Sequence, residues 1–264
     1  MNTVTSADGT RIVYDRAGSG PALILVNGAL TTRTSGSGPA LAGGLSQRLT
    51  VFSYDRRGRG DSGDTQPYAV QREIEDIEAL IGAAGGRAAL YGHSSGACLA
   101  ILAGVSLGDA VNGLALYEPP YNDDPAVRQP WQRYLADLEA ALAAGRRGDA
   151  LALFMGYVGT PPAQIEQMRS APFWRGLEAI APTLAYDHAG VMGPDLSVPV
   201  ALAAQVRVPT LVMYGTSSFP FMEPTARTLA GAIPGATVRA LDGQTHDVNP
   251  QALAAPILEA FAPA

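Results

Sequence analysis

The 264-residue sequence predicts an α/β fold, in which helices cover both faces of a mostly parallel central sheet. Short apolar runs recur along the chain and alternate with stretches in which apolar residues have helical spacing. Some runs, such as PALILVNG at residues 21–28, are continuously apolar up to a terminal Asn-Gly, which is typical of strands buried on both faces. The alternation breaks between residues 121 and 200, where the spacing is helical and no strand pattern is present.

The first part of the chain contains a predicted hairpin followed by three predicted strands. The turn Asp8-Gly9 lies between two short β-like runs, which is a hairpin pattern. Strands are then predicted at residues 21–28 and at the start of residues 49–63, the second followed by a glycine-rich loop. Residues 68–84 have an amphipathic helical pattern, and residues 88–107 have the pattern of a strand, a turn and a helix.

The second part contains further predicted strands at GLALYEPP, LVMYG and TVRALDG, and helical stretches follow the last two. Strands that alternate with helices at this spacing indicate a mostly parallel sheet. Residues 121–200 interrupt the alternation, and we interpret them as a helical lid inserted between two strands of the sheet. The sequence therefore predicts a core formed by residues 1–120 and 201–264, with residues 121–200 as the lid.

The composition excludes several classes of protein. Hydrophobic residues make up 47% of the chain and charged residues 16%, which provides for one sizeable core and excludes a disordered chain. The net charge of −6 leaves no basic surface for phosphates, so we expect no nucleic-acid partner. The N-terminus lacks a signal-peptide pattern and no run of about 18 apolar residues occurs, so we expect a cytoplasmic protein without membrane association. We expect a monomer or a homodimer.

The segment Gly92-His93-Ser94-Ser95-Gly96 fits the pattern G-x-S-x-G, in which a serine occupies a sharp turn between a strand and a helix. An apolar strand pattern precedes it and a small-residue helix pattern follows it, as this motif requires. Such a turn holds the serine hydroxyl above the carboxyl ends of the strands, where open α/β sheets bind ligands. Ser94 is therefore a candidate nucleophile, and a purely structural turn is the alternative.

With this motif the chain resembles the α/β-hydrolase superfamily over essentially its whole length. The loop Asn27-Gly28-Ala29 stands where the family commonly has His-Gly, and residues 54–62 (YDRRGRGDS) are similar to its D-x-R-G-x-G-x-S loop. The resemblance implies an α/β-hydrolase fold, a nucleophilic Ser94, and an oxyanion hole formed by the backbone N–H groups of Ala29 and Ser95. It implies no cofactor, and the sequence offers no His/Cys cluster for a metal. We expect the arginines of residues 54–62 to pair with carboxylates.

Three histidines are candidates for the base that such a nucleophile needs. His93 adjoins Ser94 within the turn, where its side chain is expected to point away from the nucleophile and to have a packing role. His188 lies in the predicted lid and is interpreted as a packed or surface residue, with a place in the lid lining as the alternative. His246 follows the last predicted strand, where the superfamily places its base. An imidazole suits that role because its pKa of about 6.5 lets it accept and return a proton near neutral pH.

The acid of the expected triad is missing from its usual place. The superfamily carries it shortly after the strand that follows the lid, and here that position is Ser218, which cannot hold a negative charge. Glu118 in LALYEPP follows the strand next after the nucleophile helix, and some family members, including zearalenone-type lactonases and certain haloalkane dehalogenases, move the acid there. The doubled serine of the turn and Glu118-Pro119-Pro120 are similar to the lactonase pattern. We therefore expect Glu118 as the acid, with a loop residue or a salt-bridge partner as the alternative.

The resemblance places the substrate between the core and the lid. The pocket candidates are residues beside the oxyanion loop and aromatic residues of or near the lid: Asn27, Leu30, Trp131, Phe154, Tyr157, Tyr186 and Phe219. A lining of this kind favours a small hydrophobic ester or lactone as the substrate. The sequence thus predicts a serine hydrolase that cleaves a carboxylic ester or lactone through a Ser-His-Glu triad and an acyl-enzyme.

Two alternatives stay open at this stage. The same triad would serve a perhydrolase, a cofactor-free haloperoxidase, a lyase or a carbon–carbon bond hydrolase, because nothing in the turn around Ser94 distinguishes these from an esterase. A non-catalytic ligand-binding protein with the same fold is the other alternative, and the serine at position 218 motivates it.

Overall fold

A computed structural model describes residues 1–262, through which a single eight-stranded sheet runs. The strands lie in the order β1-β2-β4-β3-β5-β6-β7-β8. Their bounds are β1 (Asn2–Thr5), β2 (Arg11–Ala17), β3 (Ala22–Val26), β4 (Thr50–Tyr54), β5 (Ala88–His93), β6 (Val111–Tyr117), β7 (Thr210–Gly215) and β8 (Thr237–Leu241). β2 pairs antiparallel with both β1 and β4, and every other neighbouring pair is parallel. The predicted α/β class and the N-terminal hairpin are confirmed.

Helices connect these strands and cover the sheet. Their bounds are α1 (Gly38–Leu45), α2 (Val70–Ala83), α3 (Ser95–Ser106), α4 (Pro125–Ala143), α5 (Arg147–Tyr157), α6 (Pro162–Arg169), α7 (Trp174–Ile180), α8 (Thr183–Ala185), α9 (Val200–Ala203), α10 (Met222–Ala232) and α11 (Pro250–Phe261). A π-helix, Tyr186–Val191, follows α8, and a short 3₁₀ helix, Gly108–Ala110, precedes β6. No helix within residues 1–262 has both the length and the apolar character needed to cross a bilayer.

Helix α1 is an element that the sequence analysis missed. Its sequence GPALAGGL contains three glycines, and each costs about 1 kcal/mol of helix propensity relative to alanine, so its local pattern is weak. The helix forms because Leu41 and Leu45 are buried with residues of β4 and α11 on one face of the sheet. Tertiary packing therefore decides this element.

The two faces of the sheet bury different halves of each strand, because successive side chains of a strand point to opposite sides. In β3, Leu23 and Leu25 pack with α1 and α11, whereas Ile24 and Val26 belong to the apolar cluster of α2 and α3. Both layers are almost fully buried, which explains why the central strands are apolar throughout.

The residues between β6 and β7 form α4 to α8, the π-helix and α9, and no strand occurs within residues 121–200. We call residues 121–200 the helical segment. Its buried side chains, including Trp131, Leu151 and Leu184, join the same apolar cluster as α3. The π-helix contacts both α2 and α3. The helical segment therefore packs on the same side of the sheet as α2 and α3.

Candidate active site

The turn between β5 and α3 holds Ser94 in a backbone conformation that few non-glycine residues adopt, with φ 57° and ψ −128°. Both glycines of the motif are required because a Cβ at either position would clash with neighbouring backbone atoms. A Cβ on residue 92 would lie 2.5 Å from Cα of Ala97, and one on residue 96 would lie 2.1 Å from the carbonyl oxygen of Val26. The chain therefore makes the sharp strand-to-helix turn that the motif predicted, with Ser94 at its apex.

Glu118 also has an unusual backbone, with φ 47°, and its side chain is buried. Its N–H donates to the carbonyl oxygen of Met213 (3.1 Å), so the residue still belongs to the ladder between β6 and β7. Its Oε1 accepts a hydrogen bond from the backbone N–H of Gly215 (2.8 Å). Its Oε2 accepts from the hydroxyl of Ser218 (2.7 Å) and from Nδ1 of His246 (2.7 Å). The carboxylate is thus fixed by three donors.

His246 lies in the loop after β8, and two side chains hold that loop. His93 Nε2 donates to the carbonyl oxygen of His246 (3.0 Å), and the hydroxyl of Tyr117 donates to that of Thr245 (2.6 Å). Burial, together with the neighbouring His246, lowers the pKa of His93 to about 3, so this imidazole is neutral. The structure gives His93 the packing role expected of it.

The imidazole of His246 is 31% exposed and lines the same cavity as Ser94. Because the Glu118 carboxylate accepts from Nδ1, the unprotonated Nε2 of a neutral His246 is available as an acceptor. No hydrogen bond joins Ser94 Oγ to this imidazole within residues 1–262. Such contacts are often longer in the absence of substrate and tighten when it binds.

The two predicted oxyanion donors, Ala29 and Ser95, line the cavity together with Ser94. The loop before Ala29 runs close to the nucleophile, since a Cβ on Gly28 would lie 3.1 Å from Cβ of Ser94. Ser95 is the first residue of α3, so its N–H has no partner within the helix and lies at the positive end of the helix dipole. Neither N–H donates to another backbone group among the described turns and loops.

The cavity above Ser94 has a volume of about 620 Å³ and is mainly apolar. Four of the predicted pocket residues line it: Trp131, Phe154, Tyr157 and Phe219. Further lining residues include Val127, Met192, Leu196, Phe221 and Met222. The lining comes from both the helical segment and the loop after β7.

Three predicted pocket residues do not line this cavity. Tyr186 stacks on Tyr68 at 3.9 Å between ring centroids, its hydroxyl donates to Asp64 (2.7 Å), and it is not part of the cavity lining. Leu30 packs against the apolar core instead. The carbonyl oxygen of Asn27 accepts from Arg56 (3.1 Å), and its side chain is absent from the lining. The prediction was wrong for these residues because sequence position does not determine which way a side chain turns.

His188 lies in the cavity wall and is only 3% exposed. Its Nδ1 lies 2.8 Å from the hydroxyl of Tyr134, and its ring packs against Trp131 and Phe154. Burial lowers the pKa of His188 to about 4, and Arg59 acts in the same direction, although Asp187 opposes it. The imidazole is therefore neutral at physiological pH. His188 is therefore a packed residue, as expected, and it also takes the alternative place in the pocket lining.

The arginines of residues 54–62 are buried and paired with carboxylates, as expected. Arg56 makes two hydrogen bonds to Glu73 (2.6 and 2.7 Å), and Arg57 makes two to Asp76 (2.8 Å each). Arg59 pairs with Asp187 of the π-helix (2.6 Å). Two of these arginines also reach the loop that carries Ala29, because Arg56 donates to the carbonyl oxygen of Asn27 (3.1 Å) and Arg59 to that of Gly28 (2.7 Å).

Two other carboxylates, Glu223 and Asp247, follow β7 and His246 respectively, and neither makes a hydrogen bond to the imidazole of His246 within residues 1–262. Glu223 pairs with Arg227 on α10 (2.7 Å), and its side chain is half exposed. No three His, Cys, Asp or Glu side chains in the described part of the chain are grouped so as to hold a metal ion.

Sequence reasoning missed two residues that touch this site. Ser218 was noted only as the place of a lost acid, yet its hydroxyl donates to the carboxylate of Glu118. The sequence analysis gave Asp187 no role, yet its carboxylate accepts from the hydroxyl of Ser95 (2.8 Å). Position 218 offered a signal, because it adjoins the site in the family pattern. Nothing in the sequence pointed to a contact across the 92 residues that separate Asp187 from Ser95.

Comparisons with known proteins identify the family to which this fold belongs. A family model described as "Alpha/beta hydrolase family" matches residues 23–255. The chain is 50% identical to an alpha/beta hydrolase from Sphaerobacter thermophilus DSM 20745, with 98% of this chain and 99% of that one covered and a TM-score of 0.87.

Two more distant structures share the fold. An esterase from Thermogutta terrifontis is 20% identical, with a TM-score of 0.73 and coverage of 98% of this chain and 96% of that one. An enol-lactonase from Burkholderia xenovorans LB400 is 22% identical, with a TM-score of 0.70 and coverage of 98% of both chains. The family model begins within β3 and extends past β8, so it includes Ser94, Glu118 and His246. The chain therefore belongs to the alpha/beta hydrolase family and is a hydrolase enzyme.

Proposed function

We propose that this hydrolase cleaves a carboxylic ester or a lactone through a Ser94-His246-Glu118 triad and an acyl-enzyme. The observation that carries the proposal is the 2.7 Å hydrogen bond between His246 Nδ1 and the buried Glu118 carboxylate. Beside that pair, the strained turn presents the hydroxyl of Ser94 to the same cavity. A hydroxyl, an imidazole and a carboxylate in this relation form a nucleophile, a base and a group that orients the base.

In the first half of the reaction, His246 Nε2 removes the proton of Ser94 as Oγ attacks the carbonyl carbon of the substrate. Glu118 holds the imidazole with Nε2 toward the nucleophile and stabilises the cation that forms. The negative charge on the tetrahedral oxygen is bound by the N–H groups of Ala29 and Ser95, each typically worth roughly 10²- to 10³-fold in rate. His246 then returns the proton to the leaving alcohol oxygen.

The second half repeats these steps with water. His246 deprotonates a water molecule that attacks the acyl-enzyme, and Ser94 leaves with the proton restored to its oxygen. The product is a carboxylic acid, or a hydroxy acid when the substrate is a lactone. Every proton transfer in the cycle passes through one imidazole, so its orientation by Glu118 is needed twice.

The shape of the cavity supports a substrate of modest size and apolar character. Its volume of about 620 Å³ and its aromatic and aliphatic walls suit a small hydrophobic ester or lactone. The helical segment supplies a large share of those walls, which supports its role as a cap over a core of residues 1–120 and 201–264. Solved structures of an esterase and of an enol-lactonase have the same fold.

The test compares hydrolysis of p-nitrophenyl acetate and butyrate by the wild type and by Ser94→Ala. We expect turnover by Ser94→Ala to fall by at least about 10⁴-fold. The matched control is Ser106→Ala, which changes an exposed serine at the other end of α3 and should leave turnover unchanged. A fluorophosphonate probe should label the wild type at Ser94, as read by peptide mass spectrometry. Wild-type turnover by Ser94→Ala would refute the proposal.

A further inference from the structure

A buried ionic network joins the helical segment to the loop that carries Ala29 and to the start of α3, where Ser95 lies. Its centre is Asp187, whose side chain is fully buried in the π-helix. One carboxylate oxygen accepts from the hydroxyl of Ser95 (2.8 Å) and from Nη1 of Arg56 (2.7 Å). The other accepts from Nη2 of Arg59 (2.6 Å). The proposed reaction makes no direct use of any of these charged side chains.

Arg59 connects Asp187 to the first oxyanion donor. Its Nη1 donates to the carbonyl oxygen of Gly28 (2.7 Å), which belongs to the same planar peptide unit as the N–H of Ala29. In a trans peptide the C=O and the N–H point in opposite directions, so a carbonyl held toward buried Arg59 turns the N–H toward the cavity. A cation on the carbonyl also polarises the amide and strengthens its N–H as a donor.

Ser95 connects Asp187 to the second donor. The hydroxyl of Ser95 is tied to the Asp187 carboxylate, and the backbone N–H of the same residue is the free donor at the start of α3. One carboxylate therefore restrains both residues whose N–H groups face the candidate oxyanion.

The charge of Asp187 is what keeps this arrangement in place. Arg56 has a second carboxylate partner in Glu73, but Arg59 has Asp187 as its one carboxylate partner within residues 1–262. Burial opposes ionisation of Asp187, yet Arg56 and Arg59 outweigh it and hold its pKa below the usual range. The carboxylate therefore stays ionised at neutral pH, and its loss would leave Arg59 a buried cation without a counter-charge.

We propose that Asp187 is a positioning residue that aligns the two oxyanion-hole donors, acting on Ala29 through Arg59 and on α3 through the hydroxyl of Ser95. The inference rests on the proposed function, since it assigns a role to groups around that same site. It couples the helical segment to catalysis, because the π-helix must be seated on the core for Asp187 to reach Arg59.

The test measures kcat and KM of Asp187→Asn for p-nitrophenyl butyrate, and its affinity for an alkyl trifluoromethyl ketone. Such a ketone forms a tetrahedral adduct whose oxygen occupies the oxyanion hole. We expect kcat to fall by roughly 10- to 100-fold, which is less than the loss of a whole donor, with KM changed by less than about twofold. The affinity for the ketone should fall by the same factor as kcat.

The chain offers a matched control in Asp76→Asn. Asp76 is likewise buried and makes two hydrogen bonds to Arg57 of the same loop, but it contacts neither Gly28 nor Ser95. Both variants lose a buried ion pair and should lose stability, whereas only Asp187→Asn should lose kcat. Ser95→Ala keeps every ion pair and removes a single hydroxyl, so it should fold normally and lose kcat by about three- to tenfold.

The outcomes separate the two proposals. If Ser94→Ala is inactive but Asp187→Asn and Ser95→Ala both match the kcat of Asp76→Asn, the positioning role is wrong and the proposed function stands. A fall in the kcat of Asp187→Asn without a parallel loss of ketone affinity also overturns the positioning role. If Ser94→Ala is fully active, the proposed function fails.

A different observation carries a second inference, about the substrate. The imidazole of His188 is buried in the cavity wall, and its Nε2 makes no hydrogen bond with any residue of the described chain. The hydroxyl of Tyr134 has Nδ1 of His188 as its one partner there. If Nδ1 carried the proton, the hydroxyl proton of Tyr134 would lack an acceptor. The satisfied arrangement has Tyr134 donating to Nδ1, which puts the imidazole proton on Nε2.

We infer that His188 Nε2–H binds an acceptor oxygen of the substrate, such as an ether, carbonyl or hydroxyl oxygen remote from the scissile ester. An otherwise apolar cavity then selects esters that carry one polar atom at a fixed position. Polar groups of this kind fix the orientation of ligands in mainly apolar pockets. This inference also depends on the proposed function, because it concerns the substrate of the same site.

The test uses p-nitrophenyl hexanoate and the analogues in which an oxygen replaces the methylene at acyl position 3, 4 or 5. We expect the wild type to favour one analogue over hexanoate in kcat/KM by roughly 5- to 30-fold, and His188→Phe to lose that preference. Hydrolysis of hexanoate itself should persist in His188→Phe, which shows that the triad is intact. Identical relative rates for all four esters in the two proteins would refute the inference.

Discussion

Glu118 is a buried carboxylate whose three donors come from different parts of the chain. The first donor is the N–H of Gly215, the last residue of β7. The hydroxyl of Ser218 lies in the loop after β7, and His246 lies in the loop after β8. With these donors in place, the carboxylate has one orientation relative to the imidazole. The family usually carries its acid on the loop of Ser218, which follows β7. Here the carboxylate belongs to Glu118, just after the end of the neighbouring strand β6, and it still reaches the imidazole of His246.

The first prediction concerns Glu118→Gln, which keeps the size of the side chain and removes its charge. An amide cannot balance an imidazolium and can favour the wrong tautomer of His246, so kcat for p-nitrophenyl butyrate should fall by about 10⁴-fold. Glu223→Gln is the control, since Glu223 pairs with Arg227 away from the site. If Glu118→Gln kept wild-type kcat and Glu223→Gln lost it, Glu118 would not be the acid of the triad.

The second prediction tests whether a carboxylate at position 218, the usual place of the acid in the family, can replace Glu118. Ser218 Oγ lies 2.7 Å from the Glu118 oxygen that bonds His246, so a carboxylate at position 218 starts within reach of the same imidazole. Glu118→Gln/Ser218→Asp should therefore recover at least about tenfold in kcat over Glu118→Gln alone. Ser218→Asp by itself should reduce activity, because it places two carboxylates side by side. No recovery in the double variant would show that the backbone at 218 cannot aim an acid at His246.

At the scale of elements, the turn around Ser94 shows how closely packed the strand-to-helix junction is. Gly96 lies against the carbonyl oxygen of Val26 at the end of β3, and Gly92 lies against the first turn of α3. These contacts set the height of Ser94 above the sheet. The pattern G-x-S-x-G predicts this turn from sequence because its requirements are local ones of backbone conformation and space.

The third prediction compares two glycine-to-alanine substitutions. Gly96→Ala places a Cβ 2.1 Å from a backbone oxygen, so the strand or the helix must shift, and the free energy of unfolding should fall by roughly 2–3 kcal/mol. Gly82→Ala, in the last turns of α2, meets nothing within 4 Å and should raise it by about 0.5–1 kcal/mol. Urea unfolding followed by circular dichroism measures both. Equal effects from the two substitutions would contradict the steric account.

Elements with strong local patterns were predictable, and those made by tertiary contact were not. Continuous hydrophobic runs predicted the apolar strands β3, β5 and β7, and amphipathic spacing predicted α2. Helix α1 has a weak pattern and exists because Leu41 and Leu45 meet α11. The position of the Tyr186 ring likewise could not be predicted from the sequence, because it depends on contacts with Asp64 and Tyr68, which are distant in the chain.

At the scale of the whole molecule, the candidate site is assembled from loops that only the sheet order brings together. β5 lies next to β6, and β6 next to β7, so residues that follow these strands meet at one edge. The expectation that Glu118 would lie near His246 rested on the resemblance to a known fold. The network through Asp187 lay beyond any such expectation, because it depends on how the helical segment packs on the core.

The last prediction concerns acid stability and follows from the neutral buried imidazole of His188. Its pKa is lowered from 6.5 to about 4 in the folded protein, so the unfolded chain takes up this proton more readily. The stabilisation is fully present above pH 6.5 and is lost as the pH falls from there toward 4, amounting to roughly 2 kcal/mol by pH 5. The half-buried His93, with its pKa lowered to about 3, contributes in the same direction.

His188→Gln isolates this term, because glutamine retains polarity and does not titrate. Urea unfolding at pH 7 and pH 5 should show a loss of stability in the wild type that is larger than in His188→Gln by about 2 kcal/mol. Asp187 cannot account for that difference, since its stabilisation is lost only below the ordinary carboxylate pKa of 3.8. An equal pH dependence in the two proteins would mean that the pKa of His188 is not lowered in the folded protein, and this prediction would be wrong.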